Sequence, residues 1–184
     1  MDPNSDMLRL IKEFVQILRD SPEIRAITGH GEAQCVIVGG AAVRCYVKNR
    51  IVGDNFDTAI FPSEFAPKLK ERLSTLQYFG MQRDQLVWHT FLRIPKNLQL
   101  LSNLDPDDLP FLSLTELILF KAQACGMRSE KQNKRDAADV IKLLKLFPGR
   151  SYRRRLLDSH WAYLQLAKPS LKASMPEYDW DTAF

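Results

Sequence analysis

The chain has 184 residues, 45% of them hydrophobic and 26% charged, with a formal net charge of +4. This is one domain's worth of chain or slightly more, with enough apolar material for a core. No apolar run approaches the roughly 20 residues that a bilayer crossing needs, which excludes a helical membrane protein.

The N-terminus, MDPNSDMLRL, is acidic and polar where a secretory signal would be basic and then apolar. A cytoplasmic, soluble protein without membrane partners is expected. Residues 6–19 place Leu8, Ile11, Phe14, Val15 and Leu18 at helical spacing, with Ser5 or Asp6 to cap the start. Ser21-Pro22 ends that helix or opens a short second one. The run QCVIV at 34–38 is β-rich, Gly39-Gly40 closes it, and AAVRCYVKN follows as a helix. FDTAIF is a second strand, stopped by Pro62-Ser63, and SEFAPKLKERLSTL is a helix capped by Ser63, with Pro67 in its first turn. LVWHTFLRI at 86–94 is a third strand and LQLL a fourth. The polar loop SNLDPDDLP then reads as a connection between two halves.

Beyond it the pattern is helical. LSLTELILFKAQACG stops at Gly126, and NKRDAADVIKLLKLF stops at Pro148-Gly149. A last helix covers 151–166, and the tail from Lys168 is irregular with apolar anchors. The expected fold class is α/β (α+β). A small mixed sheet flanked by helices occupies 1–104, and a helical part packed on it occupies 105–184.

Cys35, Cys45 and Cys125 are odd in number and widely spaced, so neither a disulfide framework nor a zinc site is visible. They read as small buried hydrophobes in a reducing compartment. His30, His89 and His160 form no metal-spaced pair. From Lys121 to Arg155 there are eleven Lys/Arg against Glu130, Asp136 and Asp139, a local excess of +8. Such a segment suits a phosphate-bearing partner, RNA included, but charge alone favours the solvated side of two amphipathic helices.

The stretch VGDNFDTAIF carries the chemistry. Strand alternation makes Asn55 and Asp57 neighbours on one face, with Phe56 on the other. Asp54 turns towards Asp57 only across a bulge. Two carboxylates two apart on a strand clamp a hard divalent cation, but here the first is an amide, a neutral and weaker ligand.

In this order of elements the chain resembles the nucleotidyltransferase superfamily, the fold of polymerase-beta-like and minimal nucleotidyltransferases. It is particularly similar to the abortive-infection AbiEii-type toxin branch. The resemblance rests on VIVGGAAVR, on NRIVGDNFDTAI, on NLQLL, on LTELILFKAQACGMR and on KRDAADVIKLL, over about residues 34–146. It implies a phosphate turn at Gly39 and Gly40. It implies cofactor contacts from Arg50, Lys121, Arg135 and Asp139, and a cleft contribution from Asp136. It implies metal ligands at 55, 57 and 99, of which only Asp57 is an acid in this chain. Asn55 and Gln99 are amides, and Asp54 is the substitute that a bulge would supply.

The implied cofactors are Mg²⁺ and a nucleoside triphosphate. With too few carboxylates to neutralise two metals, nucleotidyl transfer is expected to be weak or absent while a nucleotide- or phosphate-binding cleft is kept. Two other readings remain. One is an active transferase that modifies an RNA, a protein or a small molecule through Asp54 and Asp57. The other is a repurposed cleft doing metal-independent acid/base chemistry on a small molecule with His89, Asp57 or Asp136. His89 also suits a core position on its strand.

Overall fold

The computed structural model describes residues 3–27, 33–50, 56–74, 95–147 and 156–184. The fold is mixed α/β, with three short strands and many helices among the described residues. The chain divides into two compact units. The first comprises Met1–Ala41, Val52–Gln85 and Lys96–Leu112, and the second Ala42–Ile51, Leu86–Pro95 and Ser113–Phe184. Among the described residues no helix is long and apolar enough to cross a membrane.

The first unit opens with α1 (Pro3–Asp20) and α2 (Pro22–Ile27). The helix starts at Pro3, whose fixed φ and missing N–H suit a first turn, so Ser5 and Asp6 lie inside it instead of capping it. Met7, Ile11, Phe14, Val15 and Leu18 are buried, while Leu8 stays exposed at the margin of that face. Strand β1 (Gln34–Val38) is central. It pairs antiparallel with β2 (Asp57–Phe61) on one side and with β3 (Gln99–Leu100) on the other. The sheet's one parallel element among the described residues is a bridge between Ile37 and Phe111. There Ile37 N–H donates to the Pro110 carbonyl at 2.7 Å, and Leu112 N–H donates to the Ile37 carbonyl at 3.1 Å.

The fourth predicted strand is shorter than expected. Only Gln99 and Leu100 pair, and Leu101–Asn103 tighten into a 3₁₀ turn. The predicted strand at 86–94 lies outside the described residues. Helix α4 runs Phe65–Ser74, starting two residues after the expected Ser63 cap, with Pro67 in its first turn.

One face of the sheet carries Cys35 and Ile37, and opposite them Ile60 and Thr58. This face joins α1, α2 and α4 in a core with Leu69, Leu73, Leu101 and Leu104. Phe56 packs there edge-to-face on Phe14, with ring centroids 5.1 Å apart. Each such side chain, fully buried, contributes about 1.5–3 kcal/mol.

The chain passes into the second unit within α3 (Gly39–Tyr46). Helix α5 (Leu114–Ala124) starts at a capping box in which Ser113 and Glu116 satisfy each other's backbone N–H groups. Leu117 through Ala124 are all buried, so α5 is covered on every side. Gly126, at φ +95°, ends this turn. A Cβ there would stand 2.5 Å from Ser170 Oγ, so the close approach also excludes a side chain.

Helix α6 (Glu130–Leu144) begins three residues before the position the apolar period suggests, because Ser129 and Gln132 form a second capping box. Helix α7 runs Asp158–Ser174 with Pro169 inside it, and α8 covers Trp180–Ala183. Of the expected helix over 151–166, residues 151–155 lie outside the described residues; the described helix begins at Asp158 and continues eight residues further, so the expected irregular tail is corrected. The carbonyl that Pro169 leaves without its usual donor belongs to Gln165, an exposed residue. The tail closes on Trp180, whose indole N–H donates to the Met175 carbonyl at 2.9 Å. Tyr178 meets that indole edge-on, and Phe184 stacks on it.

Candidate functional site

Two groups of residues hold the polar chemistry, one in each unit. In the first unit β1 runs out into Gly39, and β2 begins directly opposite, with Asp57 paired to Val38. Gly39 has φ +67°, a left-handed conformation that costs a residue with a side chain about 1–2 kcal/mol. It is also crowded. A Cβ on Gly39 would lie 2.1 Å from Asp57 Oδ2 and 2.9 Å from Asp57 Cγ. The carboxylate of Asp57 therefore leans directly over the first residue of α3. The first N–H groups of a helix have no partner within the helix, and its dipole is positive at that end, so a carboxylate is favourably placed there. Asp57 is exposed while Gly39 beneath it is buried, so the corner meets solvent at the carboxylate.

Gln99 does not join this corner. It pairs with Cys35, three residues from Val38, so it points to the opposite face of the sheet from Asp57. Its Nε2 donates to the Asp108 carbonyl at 3.3 Å, and its Oε1 is buried without a hydrogen-bond donor. The expectation of ligands at 55, 57 and 99 around one metal thus fails at 99, because the two-residue strand β3 pairs in the other register. Leu100 occupies the Asp57 face instead. Asp54, Asn55 and His89 lie outside the described residues. Among the described residues no three His, Cys, Asp or Glu side chains cluster as a metal site would require. The described donors do not fit a two-metal centre.

The second group is buried. Arg50 forks onto Asp139, with Nε to Oδ1 at 2.6 Å and Nη2 to Oδ2 at 3.0 Å. Lys121 Nζ reaches Asp136 Oδ1 at 2.6 Å and Asp139 Oδ2 at 3.2 Å. The side chains of Lys121, Asp136 and Asp139 are only 5%, 2% and 1% exposed. Four sequence-predicted residues, Arg50, Lys121, Asp136 and Asp139, thus meet in one cluster of two cations and two anions. Arg135, predicted beside them, points to solvent from the next position of α6.

Lys121 neither snorkels to water nor opens onto a cleft. Asp136 and Asp139 pair inward, not with the surface Lys131 or Lys142. Each charge satisfies another, as buried charges must. Two participants escaped sequence reasoning. Arg44 donates to the Arg50 carbonyl at 2.5 Å and so fixes the segment that carries Arg50. Arg128 stands 3.8 Å from Asp136 Oδ2, an oxygen that accepts no hydrogen bond. Nothing in their spacing signals either role.

Cys35 and Cys125 are buried as expected and offer no nucleophile, whereas Cys45, also expected to be buried, is exposed. Burial pushes Cys35 up to about 12. Burial also raises Cys125, against a hydrogen bond to Ser174 that acts the other way. Both stay protonated at neutral pH.

Set beside known proteins, the chain matches no protein family, no curated protein and no solved structure.

Proposed function

We propose that this is a divergent nucleotidyltransferase-fold protein that binds a nucleotide or other phosphate compound and has weak or absent metal-dependent transfer activity. The observation that carries this reading is the juxtaposition of Gly39 and Asp57. An apolar strand, a glycine turn and a helix N-terminus meet the second acid of the expected Asp-x-Asp pair, whose exposed carboxylate lies over buried Gly39. A glycine turn opening a helix is a favourable approach for phosphate oxygens. Among the described residues Asp57 alone supplies a negative charge there, too little to hold two divalent ions against a triphosphate. Without a metal, Asp57 repels the phosphate that the helix attracts.

That opposition gives the test. Isothermal titration with ATP, GTP, CTP and UTP, with and without Mg²⁺, should show binding that hardly depends on the metal. Asp57→Asn should then tighten metal-free binding by roughly fivefold, the effect of removing about 1 kcal/mol of like-charge repulsion near a surface. Binding of none of the four nucleotides removes the reading. Mg²⁺-dependent binding that Asp57→Asn abolishes, together with labelled nucleotide transferred to a product, replaces it with an active transferase.

A further inference from the structure

Helix α6 separates its charges by side. Asp136 and Asp139 are buried and neutralised by Lys121 and Arg50 within the cluster described above. Lys131, Arg135, Lys142 and Lys145 are exposed. At about 100° per residue these four fall within an arc of about 80°, and they extend over roughly 21 Å of helix axis. The residue between them on that line is Ala138. Lys134, next to the arc, is held by Glu130 at 2.7 Å. Among the described residues none of the four pairs with a carboxylate. Since the inner acids are matched by inner cations, the outer charge is not offset from beneath.

The geometry points to this stripe as a docking surface for the phosphodiester backbone of a nucleic acid. A line of unpaired cations on a rigid helix follows a line of phosphates, and releasing their counterions drives association. A membrane surface fits less well, because an interfacial helix carries large apolar side chains beside its cations, and this arc holds only Ala138. Leu146, 44% exposed, is the one large apolar side chain near its margin. The inference is independent of the phosphate corner at Gly39, and neither needs the other.

The test is fluorescence anisotropy with the full chain and labelled single-stranded RNA or duplex of about 20 nucleotides, titrated between about 50 and 200 mM salt. Four phosphate contacts predict that affinity falls roughly 50-fold across that range for a single strand, and roughly 150-fold for a duplex. The variant carrying Lys131→Gln, Arg135→Gln, Lys142→Gln and Lys145→Gln should bind at least about tenfold more weakly at the lower salt. The pairs Lys131→Gln/Arg135→Gln and Lys142→Gln/Lys145→Gln should each lose about half the salt slope, which keeps the test decisive if the fourfold variant folds poorly. A control variant at the exposed Lys48 and Lys68, each changed to Gln, should bind as the unaltered protein does. Failure to bind either nucleic acid, salt-independent binding, or binding unchanged in the stripe variants overturns the inference. Capture by phosphatidylserine vesicles in place of either nucleic acid overturns it too.

Discussion

The Gly39–Asp57 corner and the Arg50–Lys121–Asp136–Asp139 cluster treat charge in opposite ways. At the corner one carboxylate faces solvent over a buried glycine, with a helix N-terminus as its counterweight. In the cluster four full charges are out of water and balance one another. The resemblance implies ligand contacts at both places, but only at the first is the carboxylate exposed to a ligand. A phosphate reaching Lys121 would have to break a buried pair first, and a buried charge left without its partner is destabilising. A charged side chain in the expected order is therefore not yet a binding residue. Whether its charge is already spent inside the fold decides that.

The sharpest way to break the comparison is to unbalance the cluster. Asp139→Ala leaves Arg50 and Lys121 without their shared partner and should destabilise the protein by about 3–5 kcal/mol in urea unfolding. Replacing Lys121 and Asp136 together by Met and Leu removes one charge of each sign, and should cost far less than either change alone. If Asp139→Ala instead lowers nucleotide affinity with little loss of stability, the cluster is a binding site and the contrast disappears.

The corner gives a smaller effect. Gly39→Ala should destabilise by about 2 kcal/mol or more, through the left-handed backbone and the collision with Asp57. In an Asp57→Ala background the cost should fall towards the backbone term of about 1–2 kcal/mol, with a residual contact from the Cβ that alanine keeps at 57, 3.1 Å away. A double-mutant cycle measures the difference. Equal costs in both backgrounds would mean that Asp57 does not lean on Gly39.

The smallest effect concerns a solvated pair that contrasts with the buried cluster. Asp181 accepts from Lys172 at 2.7 Å and meets Lys168 at 2.9 Å. Hydrogen bonding to these two lysines lowers Asp181 to about 2 from its ordinary 3.8. Because the folded value lies below the unfolded one, this contact supports folding fully above about pH 4 and loses its contribution as pH falls towards 2. An NMR titration of the Asp181 carboxyl should find a midpoint near 2, moving back towards 3.8 when Lys168 and Lys172 are both changed to Gln. An unmoved midpoint would rule out the lysines as its cause.

Much of the fold follows from local pattern. The α1 face, the strand ending in Gly39-Gly40 and the stop at Gly126 all show in the period of apolar residues and the placing of glycines. The start of α6 was also written locally, as Ser129 with Gln132 three residues on, but the apolar period drew the boundary to Asn133. Leu8 and Leu157 are apolar yet exposed, and Pro169 sits inside a helix. Period and propensity do not say how far a face is covered, or whether a lost hydrogen bond is made good by water.

Local pattern thus settled the type of most of the described elements and the buried face of α1. Tertiary structure alone decided which of those residues meet. Arg50 and Asp139 lie 89 positions apart and form a 2.6 Å pair. Gln99 leaves the Asp57 face because β3 pairs with Cys35 in a register that its own two residues cannot dictate. The physical reason is common to both. Helical period and glycine turns act over a few residues, whereas burying charge and choosing a strand register depend on partners that only the folded chain brings together.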